Sequence, residues 1–196
     1  MGIALLSVVV TWLAANPLVL IMLVAAAVVG AALWAHRRRQ RLLWERTRQQ
    51  GLRYGLPQLD ALGHRDFEYA VRDLMRRDGC GDARQIGGAG DNGADVLATD
   101  PMGRAWVIQC KHRRDGDRGS AVGTPDLQRV NGTARQLYGA DVVLVVTNGR
   151  FSTRCAPLAE QLQMHLVDRR TLAVWASSGR PLWELLPRVP GPRRGR

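Results

Sequence analysis

Five consecutive residues near the middle of the chain, Val142-Val143-Leu144-Val145-Val146, form an extended run with no polar face to turn toward water. A strand built this way has to be covered on both sides, which an isolated hairpin or an open antiparallel sheet does not do. The neighbouring sequence supplies the covers. Pro125–Tyr138 and Phe151–Met164 read as helices before and after the strand Asp141–Thr147. Upstream, the pattern from Leu59 to Gly79 places Leu62, Phe67, Ala70, Val71 and Leu74 at helical spacing. Ala83–Ile86 reads as a short strand. A hairpin follows, Ala94–Asp100 and Arg104–Lys111, joined by the turn Asp100-Pro101-Met102-Gly103. Arg113–Gly123 reads as a loop, His165–Asp168 as a short strand and Arg170–Ala176 as a last helix. The expected fold class is therefore α/β, with a mixed central sheet flanked by helices.

The N-terminal 35 residues carry no charged side chain and run directly into His36-Arg37-Arg38-Arg39. Pro17–Ala35 alone would make a helix of roughly 28 Å, close to the ~30 Å hydrocarbon core of a bilayer. No Lys or Arg precedes the apolar block, so a cleaved signal peptide fits less well. The expectation is a transmembrane segment over 1–36, as one long helix or a helical hairpin starting again at Asn16-Pro17. A basic juxtamembrane linker over 37–56 follows, then the α/β domain over 57–176 and a basic C-terminal tail over 177–196. By the positive-inside rule this predicts a cell-membrane protein, partnered with the lipid bilayer, whose α/β domain is cytoplasmic.

The net charge of +11 resides mostly outside that domain. Residues 37–53 hold seven Arg against one Glu, and residues 188–196 hold four Arg and no acid. Nucleic-acid binding therefore has to be argued from local features. The three cysteines, Cys80, Cys110 and Cys155, form neither a C-x-x-C pair nor a Cys/His zinc pattern and read as reduced thiols.

The local features lie between Gly87 and Lys111. Gly88, Gly90 and Gly93 satisfy G-x-G-x-x-G, but a dinucleotide fingerprint needs a helix to begin at the glycines, and here a strand follows. A P-loop is excluded because no Lys-Ser or Lys-Thr comes after them. The hairpin offers a better use of the same residues. Asp95 opens one strand, and Gln109 and Lys111 close the next, two apart and so on one face. A carboxylate, an amide oxygen and an ammonium would converge at one rim of the sheet. Carboxylate and amide oxygens suit Mg2+, which activates water and polarises phosphate. The lysine can orient that water and offset developing charge.

The string GGAGDNGAD…VIQCK resembles the catalytic core of Mrr-type restriction endonucleases, a branch of the PD-(D/E)xK nuclease superfamily in which Gln stands for the second acid, as in Gln109-Cys110-Lys111. Phe67-Glu68 is similar to that family's F-E helix, and VVTNGRFS and LVDRRTL look like its C-terminal half, so the resemblance covers about 59–175. It implies a restriction-endonuclease-like core that cleaves DNA with Mg2+ or another divalent cation, in DNA restriction or defence. The implied catalytic residues are Asp95, Gln109, Lys111 and Glu68, of which Asp95, Gln109 and Glu68 would hold the metal. A homodimer is compatible with this reading, and a catalytically idle nuclease fold that binds DNA is the alternative. Lys111, His112, Arg113, Arg114 and Arg118 form a basic run expected to contact phosphates. Arg104 and Arg150 are expected on the same rim, with Thr147, Asn148, Phe151 and Ser152 bordering the groove.

Overall fold

The computed structural model describes residues 16, 18–19, 27–31, 34, 52–88, 93–187 and 189, and it divides into two units, Met1–Glu45 and Arg46–Arg196. In the first unit Leu18 and Val19 are helical, with Val19 N–H donating to the Asn16 carbonyl at 3.1 Å. Residues 27–31 and 34 are also helical. Among the described residues no helix is long and apolar enough to cross a membrane. That finding corrects the expectations of a transmembrane anchor, a lipid-bilayer partner and a cell-membrane location, none of which is carried further. Most of the block 1–36 on which they rested lies outside the described residues.

The second unit runs α1 (Leu56–Asp60), α2 (His64–Arg77), β1 (Arg84–Gln85), β2 (Val96–Thr99), β3 (Ala105–Lys111), a 3-10 turn (Gly116–Arg118), α3 (Thr124–Tyr138), β4 (Val142–Thr147), α4 (Cys155–Gln161), β5 (Met164–Val167), α5 (Arg169–Ser178) and α6 (Leu182–Leu185). The five strands lie in sequence order in one sheet. β1–β2 and β2–β3 pair antiparallel, whereas β3–β4 and β4–β5 pair parallel. The sheet is mixed, as the alternation of hairpin and helices predicts, and the strand that joins its two halves is β3.

All six residues of β4 are buried. Alternation sends Val142, Leu144 and Val146 toward one core, with Trp106 and Ile108 of β3, Phe67, Val71 and Leu74 of α2, and Trp175 of α5. Val143 and Val145 face the other core, with Val107, Leu127 and Val130. In α2 the buried positions 67, 70, 71, 74 and 75 recur at helical spacing, and Asp66 near its start and Arg76 and Arg77 at its end complement the helix dipole.

Three local differences from the sequence reading have physical causes. The single helix expected from Leu59 is two, because the chain turns extended at Gly63, which caps α2 at φ −79°, ψ 168°. The helix expected over 151–164 shrinks to Cys155–Gln161. Phe151 is drawn into a bridge with Val122, and Met164 begins β5 beyond Gln163, whose φ is +51°. Leu182–Leu185, left in the basic tail by composition, forms α6 with Leu182 fully buried.

α6 is tied to the domain by a buried polar knot. Asp78 accepts from Trp175 Nε1 (2.7 Å), the Leu182 amide (2.8 Å) and Arg77 Nη2 (2.7 Å), while Arg77 also donates to the Ala176 carbonyl at 3.3 Å. The Arg77 and Asp78 side chains are both only 1% exposed. Removing one partner of a buried pair leaves the other charge stranded. Asp78→Ala should therefore cost about 3–5 kcal/mol in chemical denaturation of the full chain, and a loss below about 1 kcal/mol would contradict the role assigned to the knot.

A second knot is more exposed. Asp60 accepts from Arg169 Nη1 and Nη2, each at 2.7 Å, and from Asn148 Nδ2 at 2.9 Å. The hydrogen bonds from Arg169 hold its carboxyl below the ordinary 3.8, against the opposing effect of partial burial and with help from Asn148. A carboxyl lowered in the folded state stabilises above its unfolded pKa and loses that contribution as pH falls through the folded value. Asp60→Asn should melt below wild type at neutral pH, with the gap closing below about pH 4. A gap in melting temperature that stays constant across that range would contradict the assignment.

Candidate active site

The β2–β3 ladder fixes where Asp95 and Gln109 meet. Val96 pairs with Ile108, and the Asp95 amide donates to the Ile108 carbonyl at 2.9 Å, so Asp95 and Gln109 lie just beyond the last paired residues on adjacent strands. Asp95 Oδ2 accepts from the Cys110 amide at 2.6 Å and from Gln109 Nε2 at 3.2 Å. Both side chains belong to buried residues. With its nitrogen committed to Asp95, Gln109 turns Oε1 to the other side, where that buried acceptor has no hydrogen-bond partner among the described residues. Gly93 leaves room for it. A Cβ there would lie 3.2 Å from Gln109 Oε1, and the φ of +85° already disfavours any other residue.

Glu68 arrives from α2, in the other layer. Gln85 of β1 donates to its Oε2 at 2.7 Å, and Gly87 admits the carboxylate so closely that a Cβ would lie 2.6 Å from the same oxygen. Lys111 ends β3 opposite Thr147 of β4, whose hydroxyl donates to the Lys111 carbonyl at 2.6 Å. Its ammonium lies 3.1 Å from Asp126 Oδ1 on α3. Cys110 sits among these charges. Burial pushes its thiol well up, the Asp95 and Glu68 carboxylates push the same way, and the Lys111 ammonium opposes them. The four residues named from the sequence, Glu68, Asp95, Gln109 and Lys111, thus line one cavity of about 330 Å³, together with His64, Gly93, Cys110, His112, Arg113 and Arg129.

Among the described residues no group of three or more His, Cys, Asp or Glu side chains comes together as a metal site. This corrects the expectation of membrane-anchored, Mg2+-dependent cleavage in restriction or defence. Among the described residues the site holds two carboxylates and an amide oxygen, a sparse set.

The basic run divides. His112 packs inward, with Nε2 3.2 Å from the Leu59 carbonyl and its ring 5.3 Å from Phe67. Burial, the largest influence, lowers its pKa. Arg113 is half-buried, its Nε donating to the Ser120 carbonyl at 2.8 Å, while Arg114, Arg118 and Arg150 are exposed. Arg104 lies at the opposite end of β3 from Lys111, about 20 Å away at the usual strand rise, locked onto Asp100. It is not on the rim. Thr147 and Asn148 are buried joints, Asn148 accepting from the Arg113 amide at 2.6 Å and donating to its carbonyl at 2.8 Å. Phe151 bridges Val122, and the Ser152 hydroxyl lies 3.2 Å from Cys155 Sγ.

Sequence reasoning missed Gln85, Asp126 and Arg129. An acid in a helix's first turn reads as a dipole partner, and nothing in the local sequence ties Asp126 to a lysine fifteen residues earlier.

The solved structures that resemble this fold are distant. A protein of unknown function, AF1548, shares 19% identity with a TM-score of 0.42, covering 53% of this chain and 57% of its own. MspJI restriction endonuclease, solved with a 27-mer oligonucleotide, shares 22% with a TM-score of 0.40, covering 62% and 30%. A repair endonuclease from Pyrococcus abyssi shares 16% with a TM-score of 0.31, covering 38% and 31%. The chain thus spans well under two thirds of each, and with these scores the assignment cannot rest on them. No curated protein matches the chain. The family model described as "Restriction endonuclease", the Mrr catalytic family, matches residues 59–176, which is more than half the chain and contains every element from α2 to β5. The chain belongs to the Mrr catalytic family of restriction endonucleases.

Proposed function

We propose that the chain is an endonuclease hydrolysing DNA phosphodiester bonds in the cavity walled by Glu68, Asp95, Gln109 and Lys111. The observation that carries this reading is the buried Gln109 Oε1 without a partner. A buried acceptor left unpaired costs about 1–3 kcal/mol, and this one belongs to a residue that lines a cavity also walled by two carboxylates, an arrangement that favours a positive ligand. The donor set fits a divalent cation held by Asp95, Glu68 and Gln109 Oε1. Two carboxylates suffice when substrate phosphate oxygens complete the coordination. When bound, such an ion supplies Lewis acidity toward the phosphodiester.

The remaining chemistry belongs to the protein. Hydrolysis forms a bond from a water oxygen to phosphorus and breaks one phosphorus–ester oxygen bond, with a proton passing to the departing oxygen. Negative charge grows on the phosphoryl oxygens meanwhile. Lys111 supplies a fixed positive charge against it, and Gln109 holds Asp95 in place. Exposed Arg114 and Arg118 supply backbone contacts on the loop that follows β3.

The test uses the full chain with supercoiled plasmid, methylated and unmethylated. Cleavage should appear with divalent cations, stop with EDTA and return when the ion is restored. Asp95→Ala and Lys111→Ala should each reduce the rate at least about 100-fold. Cleavage surviving both substitutions would remove the proposed site, and DNA binding without cleavage would remove the proposed activity. The Arg114→Ala/Arg118→Ala double variant should weaken oligonucleotide binding equally for unrelated sequences and flatten its salt dependence. An unchanged salt slope would count against that surface.

A further inference from the structure

Lys111 is a long, flexible side chain at the end of a strand, and nothing in β3 itself fixes where its ammonium goes. The backbone is pinned on both sides, by pairing with Thr147 and by the Thr147 hydroxyl on the Lys111 carbonyl. Among the described residues the ammonium pairs with Asp126 Oδ1, at 3.1 Å, and with neither Asp95 nor Glu68. The side chains of Lys111 and Asp126 are 18% and 24% exposed, so the pair is sheltered though not sealed.

We infer that Asp126 is a positioning residue for the proposed nuclease reaction: it draws the Lys111 ammonium to the α3 wall of the cavity and keeps it from neutralising Asp95 and Glu68. This rests on the endonuclease reading above. Among the described residues, the carboxylates near the cavity have different partners. Asp95 takes the Cys110 amide and the Gln109 amide group, Glu68 takes Gln85, and Asp126 takes Lys111. Without Asp126, the carboxylates of Asp95 and Glu68, which line the same cavity as Lys111, would attract the freed ammonium. A lysine collapsed onto them would compete with a divalent cation and leave the position from which it faces the phosphate. α3 is well placed for this role. Arg129, three residues on and so on the same helix face, has its Cγ 3.2 Å from where a Gly93 Cβ would lie, so this face of α3 walls the cavity as well.

The plain alternative is that Asp126 serves α3 alone, as the acid in its first turn. Steady-state cleavage by the full chain separates the two roles. Asp126→Asn should lower kcat about 10- to 100-fold, the scale expected when a reacting group is misplaced by about an ångström. KM and oligonucleotide affinity measured by fluorescence anisotropy should stay within about twofold. Asp126→Glu should restore most of the loss, and Asp126→Asn added to Lys111→Ala should cost nothing further. A service to α3 alone would instead lower the melting temperature and leave kcat in place. Wild-type kcat in Asp126→Asn, or a loss additive with that of Lys111→Ala, would overturn the inference while leaving the endonuclease reading intact. Wild-type cleavage by Lys111→Ala, or none by the wild-type chain, would overturn the endonuclease reading, and the assignment of Asp126 with it.

Discussion

The double burial of β4 governs the rest of the domain. A strand with no face for water must have cores on both sides, and here α2 and α5 build one while α3 and α4 contribute to the other. Because β4 is parallel to β3, the ends of both strands point the same way, and Thr147 and Asn148 emerge beside Lys111. Both residues are fully buried. They bond the Lys111 carbonyl and both backbone groups of Arg113, so the strand end that bears Lys111 is clamped to the fully buried strand β4. The hairpin with β2 then delivers Asp95 to the same end from the opposite side. A mixed sheet, antiparallel on one flank of β3 and parallel on the other, brings a carboxylate and a lysine together without a long loop.

How much of this could be read from the sequence follows from the range of each interaction. The strands, the turn at Asp100–Gly103 and the convergence of Asp95 with Gln109 and Lys111 depend on alternation and on a short connection, both local. The pairing of Lys111 with Asp126 and of Gln85 with Glu68 depends on how two helices from different layers settle against the sheet, which no spacing encodes. The same limit explains the misjudged C-terminal stretch. Leu182 has a place in the fold because Asp78, more than a hundred residues earlier, accepts its amide and Trp175's indole at once. Arg104 was misplaced for a simpler reason, since a basic residue near the motif in sequence stands a full strand length from it in space. The N-terminal expectation was also a composition argument, and among the described residues no helix answers to it.

At Gln109 an amide stands for the second acid of the wider superfamily, which reduces the charge available to a cation. The geometry gives the amide a use that a carboxylate could not fill. Its Nε2 donates to Asp95 Oδ2, an oxygen that also takes the Cys110 amide. The reverse orientation would set the amide oxygen against that carboxylate with no hydrogen between them, so chemistry fixes which way the group points. A glutamate at this position would bring a second negative charge beside buried Asp95, and one of the two would resist ionisation unless a cation were already present. The glutamine avoids that conflict. It steadies Asp95 while its own buried oxygen, for which Gly93 leaves room, stays without a partner among the described residues. In the proposed reaction the site would be organised before any ion arrived, at the expense of one unit of charge, and the phosphate oxygens of a substrate would supply the coordination that remains.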